Sequence, residues 1–141
     1  MEKKYLIATH GRLAEGLQSS IGILAGKADK VEVINAYVDD SDYTQTVKDF
    51  VASITDDMQG IVFTDIFGGS VNQKVVAEVM TQKKDNVLVV SNSNLPVVLT
   101  VLLTESDEAF TEEDIKQAIG DSTPVLVPTK ITTDDDEDDF F

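Results

Sequence analysis

The chain has one histidine, His10, inside the stretch LIATHGRLAEGL at positions 6–17. A second stretch, IVFTDIFGGS at 61–70, carries Asp65 followed by Gly68, Gly69 and Ser70. Each follows a run rich in β-branched and apolar residues and precedes a helical pattern. Such junctions are strand ends, and in open parallel sheets ligands bind beyond the carboxyl ends of the strands. The two stretches therefore belong at one rim. A neutral imidazole is a good nucleophile toward phosphorus at neutral pH. One ring nitrogen must attack while the other keeps its proton. A carboxylate that accepts this proton in a hydrogen bond sets the tautomer and the ring orientation. Gly68 and Gly69 permit close backbone approach, and the following helix N-terminus offers N–H groups to phosphoryl oxygens, as does Ser70. Transfer between two histidines requires neither a metal nor a cofactor.

Each residue also has a plain structural explanation. A lone histidine at a strand end can be a loop residue, Asp65 can open a turn or cap a helix, and GGS occurs in many turns. Two other classes can be set against the sequence. A receiver-like signalling domain would use Asp65 as its phosphorylated residue. It expects an acidic pair after strand one, where this chain has Thr9, His10 and Gly11, and a lysine after the last parallel strand, where it has SNSNLP. A nucleotide-binding module expects GxGxxG or GxxxxGK[ST], and neither occurs.

The elements that must position these residues follow from periodicity. KYLIAT at 4–9 predicts a buried strand. Leu13, Leu17, Ile21 and Leu24 predict a helix that stops near Gly26. VEVINA at 31–36 is a second strand. Ser41 or Asp42 is expected to cap a helix whose apolar face is Val47, Phe50, Val51 and Ile54. Residues 61–64 form a third strand, and Val71, Val75 and Val79 mark a third helix. NVLVVS at 86–91 is a fourth strand, and Pro96 suits the first turn of a helix through Leu103. That helix is apolar on nearly every side and is expected to be buried, in part by a second subunit. Thr111, Glu112 and Glu113 open a helix ending near Gly120. VLVPTKI at 125–131 is a last extended segment, which Pro128 confines to an edge or outside the main sheet. Strict alternation predicts a three-layer α-β-α domain with a mainly parallel four-stranded sheet, helices on both faces and right-handed crossovers.

The 141 residues suit one domain, at 1–132, with an acidic tail at 133–141 expected to be disordered. An apolar fraction of 42% supports a core. With no cysteine, thiolate chemistry is excluded, and one histidine argues against a structural zinc site. The net charge is −15, with six acids in the tail at 134–139, which makes nucleic acid and anionic lipid poor partners. The amino terminus lacks the long apolar core of a signal peptide and no run approaches a membrane span, so the expected location is cytoplasmic.

Taken together, THG at 9–11, TDIFGGSVN at 64–72 and NSNLP at 92–96 resemble the mannose-family enzyme IIA of the bacterial phosphoenolpyruvate-dependent sugar phosphotransferase system. The order and spacing match over roughly residues 1–130. The resemblance implies a phosphocarrier that takes a phosphoryl group from the histidine carrier HPr and passes it to an enzyme IIB, with no direct contact to sugar. It places His10 on the phosphorylated histidine, with Nε2 attacking, Asp65 on the aspartate that holds the ring, and Ser70 beside the phosphoryl group. It implies a homodimer in which the C-terminal strand, here Val125–Ile131, is exchanged. Val71 stands where the family often has proline after GGS. The phosphoryl-carrying subunit of dihydroxyacetone kinase has a similar domain, but its loop usually reads SHS where this chain has THG.

Overall fold

The computed structural model describes residues 1–131; the acidic tail lies outside the described residues. Four strands, β1 (Glu2–His10), β2 (Val31–Ala36), β3 (Met58–Thr64) and β4 (Val87–Val90), form one sheet in the order β2-β1-β3-β4, and every pairing is parallel. Five helices alternate with them or follow them: α1 (Leu13–Ala25), α2 (Thr44–Ser53), α3 (Ser70–Thr81), α4 (Leu95–Leu103) and α5 (Glu112–Gly120).

The layering follows from the two-residue period of the strands. Tyr5 and Ile7 of β1, with Ile61 and Phe63 of β3, face one side of the sheet and pack with α1, α4 and α5. Leu6 and Ala8 of β1, with Val62 of β3, face the other side and pack with α2 and α3. Because β1 and β3 lie inside the sheet, both faces of Tyr5–Ala8 and Ile61–Phe63 are buried, which explains their unbroken apolar runs. The chain leaves β1 toward β2 and returns across it to β3. The strand order therefore reverses between β1 and β3. That crevice is the switch point at which doubly wound folds bind ligands.

Local chemistry starts and stops the helices. The hydroxyl of buried Thr9 accepts the Ala14 N–H at 2.8 Å and satisfies a donor in the first turn of α1. Gly26 ends α1 in the left-handed conformation expected of it. Asn94 caps α4 by accepting the Val97 N–H, with Pro96 in the first turn. Thr111 and Asp114 form a reciprocal capping box at α5.

One expectation needs correction. Neither Ser41 nor Asp42 caps α2: Tyr43 occupies the cap position, while the Asp42 carboxylate accepts the Thr44 N–H at 2.9 Å and shapes the turn before it. Helix α4 buries Val97, Val98, Val101 and Leu102 against its own chain, but Leu103 is 61% exposed. Residues 125–131 join no strand of the sheet, and Val125, Leu126, Val127 and Ile131 are exposed. An edge strand needs a neighbour to pair with, and within the single chain this segment has none among the described residues.

The Thr9 cap gives a direct test. Thr9→Val preserves shape but leaves the Ala14 N–H buried without its acceptor, which should cost about 1–3 kcal/mol. Urea unfolding should show a lower midpoint with an unchanged slope.

Candidate functional site

The carboxyl rim of the sheet gathers one residue from each strand end. His10 is the last residue of β1, Tyr37 follows β2, Asp65 follows β3, and Asn92 lies two residues past β4. The β1–β3 ladder runs to the pair Ala8–Thr64. Beyond it the Asp65 side chain continues the pairing. Its Oδ2 accepts the His10 backbone N–H at 2.9 Å and also lies 2.9 Å from His10 Nδ1. Its Oδ1 accepts the Ile66 N–H at 3.1 Å. On the other side of β1, the Gly11 N–H reaches the Ala36 carbonyl of β2 at 2.7 Å. The histidine is thus fixed through main chain and ring together.

The pair is asymmetric in exposure. The Asp65 side chain is 8% exposed and the His10 side chain 40%. Burial pushes the Asp65 carboxyl upward, but the hydrogen bonds from the His10 backbone N–H and the His10 ring outweigh it and hold the carboxyl below the usual carboxylate value. An ionised carboxylate can only accept, so Nδ1 of the ring must carry a proton and donate it to Asp65. In the neutral ring Nε2 is then left unprotonated, the state a nucleophile needs.

Ser70 stands beside that nitrogen, its Oγ 3.3 Å from His10 Nε2. It is the first residue of α3, whose cap residue Gly69 supplies no side-chain acceptor to the opening turn. A helix start of this kind offers unpaired N–H groups and the positive end of its dipole to an anion. The glycines are geometric requirements. Gly68 has φ of 78°, and a Cβ on Gly69 would sit 3.2 Å from the Ile66 carbonyl and 3.6 Å from His10 Cε1. The loop is tied down from β4, where Asn92 Oδ1 accepts the Phe67 N–H at 2.8 Å.

Sequence reasoning placed His10, Asp65, Gly68, Gly69 and Ser70 at one rim, and the structure brings all five together. It missed Tyr37. That ring stacks on the His10 imidazole, with centroids 5.4 Å apart and planes inclined by 28°. Its hydroxyl lies 2.9 Å from Ser70 Oγ and 3.4 Å from the Tyr43 hydroxyl. Burial raises the Tyr43 phenol above its ordinary value. Lys74, one turn along α3 from Ser70, sits 4.5 Å from the Tyr43 ring centre and donates to Thr44 Oγ1 at 3.0 Å. A tyrosine directly after the strand beside β1 was the available signal.

Fold and site define a class: an open parallel α/β domain with a carboxylate-held histidine at its switch point. Residues 4–119 match the EIIA-man family, described as the PTS system fructose IIA component, and the chain belongs to that family. It is accordingly a component of the phosphoenolpyruvate-dependent sugar phosphotransferase system, with phosphotransferase activity in sugar transport. Among solved structures it is similar to a phosphotransferase-system permease protein from Klebsiella pneumoniae subsp. pneumoniae, with 34% identity, 85% of each chain covered and a TM-score of 0.74. The mannose/sorbose-specific IIA subunit from Enterococcus faecalis shares the fold at 18% identity, with 94% of this chain and all of that one covered and a TM-score of 0.69. The EIIA component from Streptococcus agalactiae does so at 22% identity, with 84% and 90% covered and a TM-score of 0.71. No curated protein matches the sequence. Among the described residues no helix is long and apolar enough to cross a membrane.

The lowered Asp65 value sets a pH dependence. A carboxyl held below its unfolded value of about 3.9 contributes stability that is present above that pH and lost as pH falls through the lower folded value. Wild type should therefore exceed Asp65→Asn in stability at pH 5–7. The gap should close only below about pH 4, as read by urea unfolding across that range.

Proposed function

We propose that His10 is the phosphoryl acceptor of this enzyme IIA, taking the group from phospho-HPr and passing it to an enzyme IIB. The observation that carries the reading is Asp65 Oδ2 bound to both the main chain and Nδ1 of His10. It leaves Nε2 as the reacting nitrogen.

The Nε2 lone pair attacks phosphorus of the donor phosphohistidine. The new N–P bond forms as the donor's N–P bond breaks, and the electron pair returns to the donor ring. Nδ1 keeps its proton throughout, and the positive charge that develops on the His10 ring is held by the Asp65 carboxylate. Ser70 and the N–H groups opening α3 receive the phosphoryl oxygens. Passing the group on reverses the same steps. Exposed Ile66 and Phe67 flank the half-exposed imidazole, which suits docking by protein partners. A receiver-like use of Asp65 is disfavoured, because both of its carboxylate oxygens already accept hydrogen bonds.

With enzyme I, HPr and phosphoenolpyruvate, intact mass should show one acid-labile phosphoryl group on wild type and none on His10→Ala. Asp65→Asn loses a charge-assisted hydrogen bond worth about 1.5–3 kcal/mol. Where that bond strengthens in the transition state, transfer should slow roughly 10- to 150-fold with the fold retained. Label that survives His10→Ala, or that resists acid, would overturn the assignment.

The homodimer implied by the family is proposed with it. Residues Val125, Leu126, Val127 and Ile131 expose apolar side chains, as do Ile23 and Leu24 of α1 and Leu103 of α4. Pairing of the 125–131 segment with a second copy would bury such surface and supply the missing strand neighbour. Sedimentation of the full chain should give a dimer mass, and truncation before Thr123 should weaken or abolish it. A monomer at micromolar concentration would count against the exchange.

A further inference from the structure

With the His10 ring neutral, the state that can attack phosphorus, the hydrogen bonds around it run in one direction. Asp65 is ionised and accepts from Nδ1, so Nε2 of the neutral ring is an acceptor. Ser70 must then donate its single proton toward Nε2, and having donated, its oxygen accepts from Tyr37. The Tyr37 oxygen in turn accepts from Tyr43. Three hydroxyls thus point one way, ending at the reacting nitrogen. Without Tyr37, the Ser70 hydroxyl could rotate among acceptors and would be aimed only part of the time.

We propose that Tyr37 is a positioning residue for phosphoryl transfer, its hydroxyl fixing the Ser70 hydroxyl as a donor aimed beside His10 Nε2. This rests on the reading of His10 as the phosphoryl acceptor. The backbone geometry supports it. Tyr37 has φ of 67°, in the left-handed region that bulky residues avoid. It is also largely exposed, so burial does not account for its place. What holds it are contacts to the site itself, the His10 ring on one side and Ser70 and Tyr43 at its hydroxyl. Strain retained at a site over-determined by its contacts is the signature of a functional constraint. When phosphorus bonds to Nε2 and its bond to the donor nitrogen breaks, Ser70 turns its proton from Nε2 to a phosphoryl oxygen. No proton leaves the chain of hydroxyls, so Tyr37 keeps the same role before and after transfer.

The experiment measures single-turnover transfer from phosphorylated HPr to wild type, Tyr37→Phe, Ser70→Ala and the double variant, by quenching and intact mass. Tyr37→Phe keeps the ring against His10 and loses only the hydroxyl. It should slow transfer about 3- to 10-fold, the range expected for one neutral hydrogen bond. In the Ser70→Ala background the same change should have less than about a twofold effect, because its target is gone. A merely structural tyrosine would instead lower the rate by the same factor in both backgrounds, together with thermal stability. Wild-type rate in Tyr37→Phe, or equal losses in both backgrounds, overturns the proposal. Wild type that takes no label at His10 overturns the acceptor assignment instead.

Discussion

One carboxylate oxygen organises the site. Oδ2 of Asp65 accepts the His10 main-chain N–H and its ring nitrogen at the same distance, 2.9 Å. The first contact belongs to the sheet, since it takes over where the β1–β3 ladder stops. The second belongs to chemistry, since it decides which ring nitrogen is free. Because one atom does both, the orientation of the imidazole is referenced to the strand it grows from. Burial of Asp65 makes the carboxylate costly to leave unpaired, and that cost keeps the pair together.

Around this pair the rest of the molecule acts as a frame. The parallel order β2-β1-β3-β4 puts the strand that carries His10 beside the strand that leads to Asp65. Helices on both faces bury Tyr5–Ala8 and Ile61–Phe63, so neither strand can slide without exposing its neighbours' side chains. The short loop through Gly68 and Gly69 then turns fast enough to set the start of α3 against the ring.

Much of this was legible in the residues. Unbroken apolar runs marked the inner strands, spacing of three and four marked α1 and α3, and Pro96 and Thr111 marked the starts of α4 and α5. The alternation of elements implied a parallel sheet and so a single functional rim. What was not legible depends on contacts distant in sequence. Strand order is set by which crossovers pack, and periodicity does not encode it. The α2 start was misread because Asp42 bonds within its turn, and two plausible caps in a row conceal a third. Tyr37 escaped notice because its position relies on a left-handed backbone angle that its residue type does not advertise. The 125–131 segment has strand-like composition, yet composition cannot supply a partner.

Every group at the site comes from the carboxyl ends of the strands: His10, Tyr37, Asp65, and Asn92 through the Phe67 loop. The opposite rim, with the turns before β2, β3 and β4, contributes nothing to it. The groups around the imidazole thus converge on one end of the sheet. Cutting THG or GGS out as a loop and grafting it elsewhere would carry the letters without the frame, since four separate strand ends must arrive together.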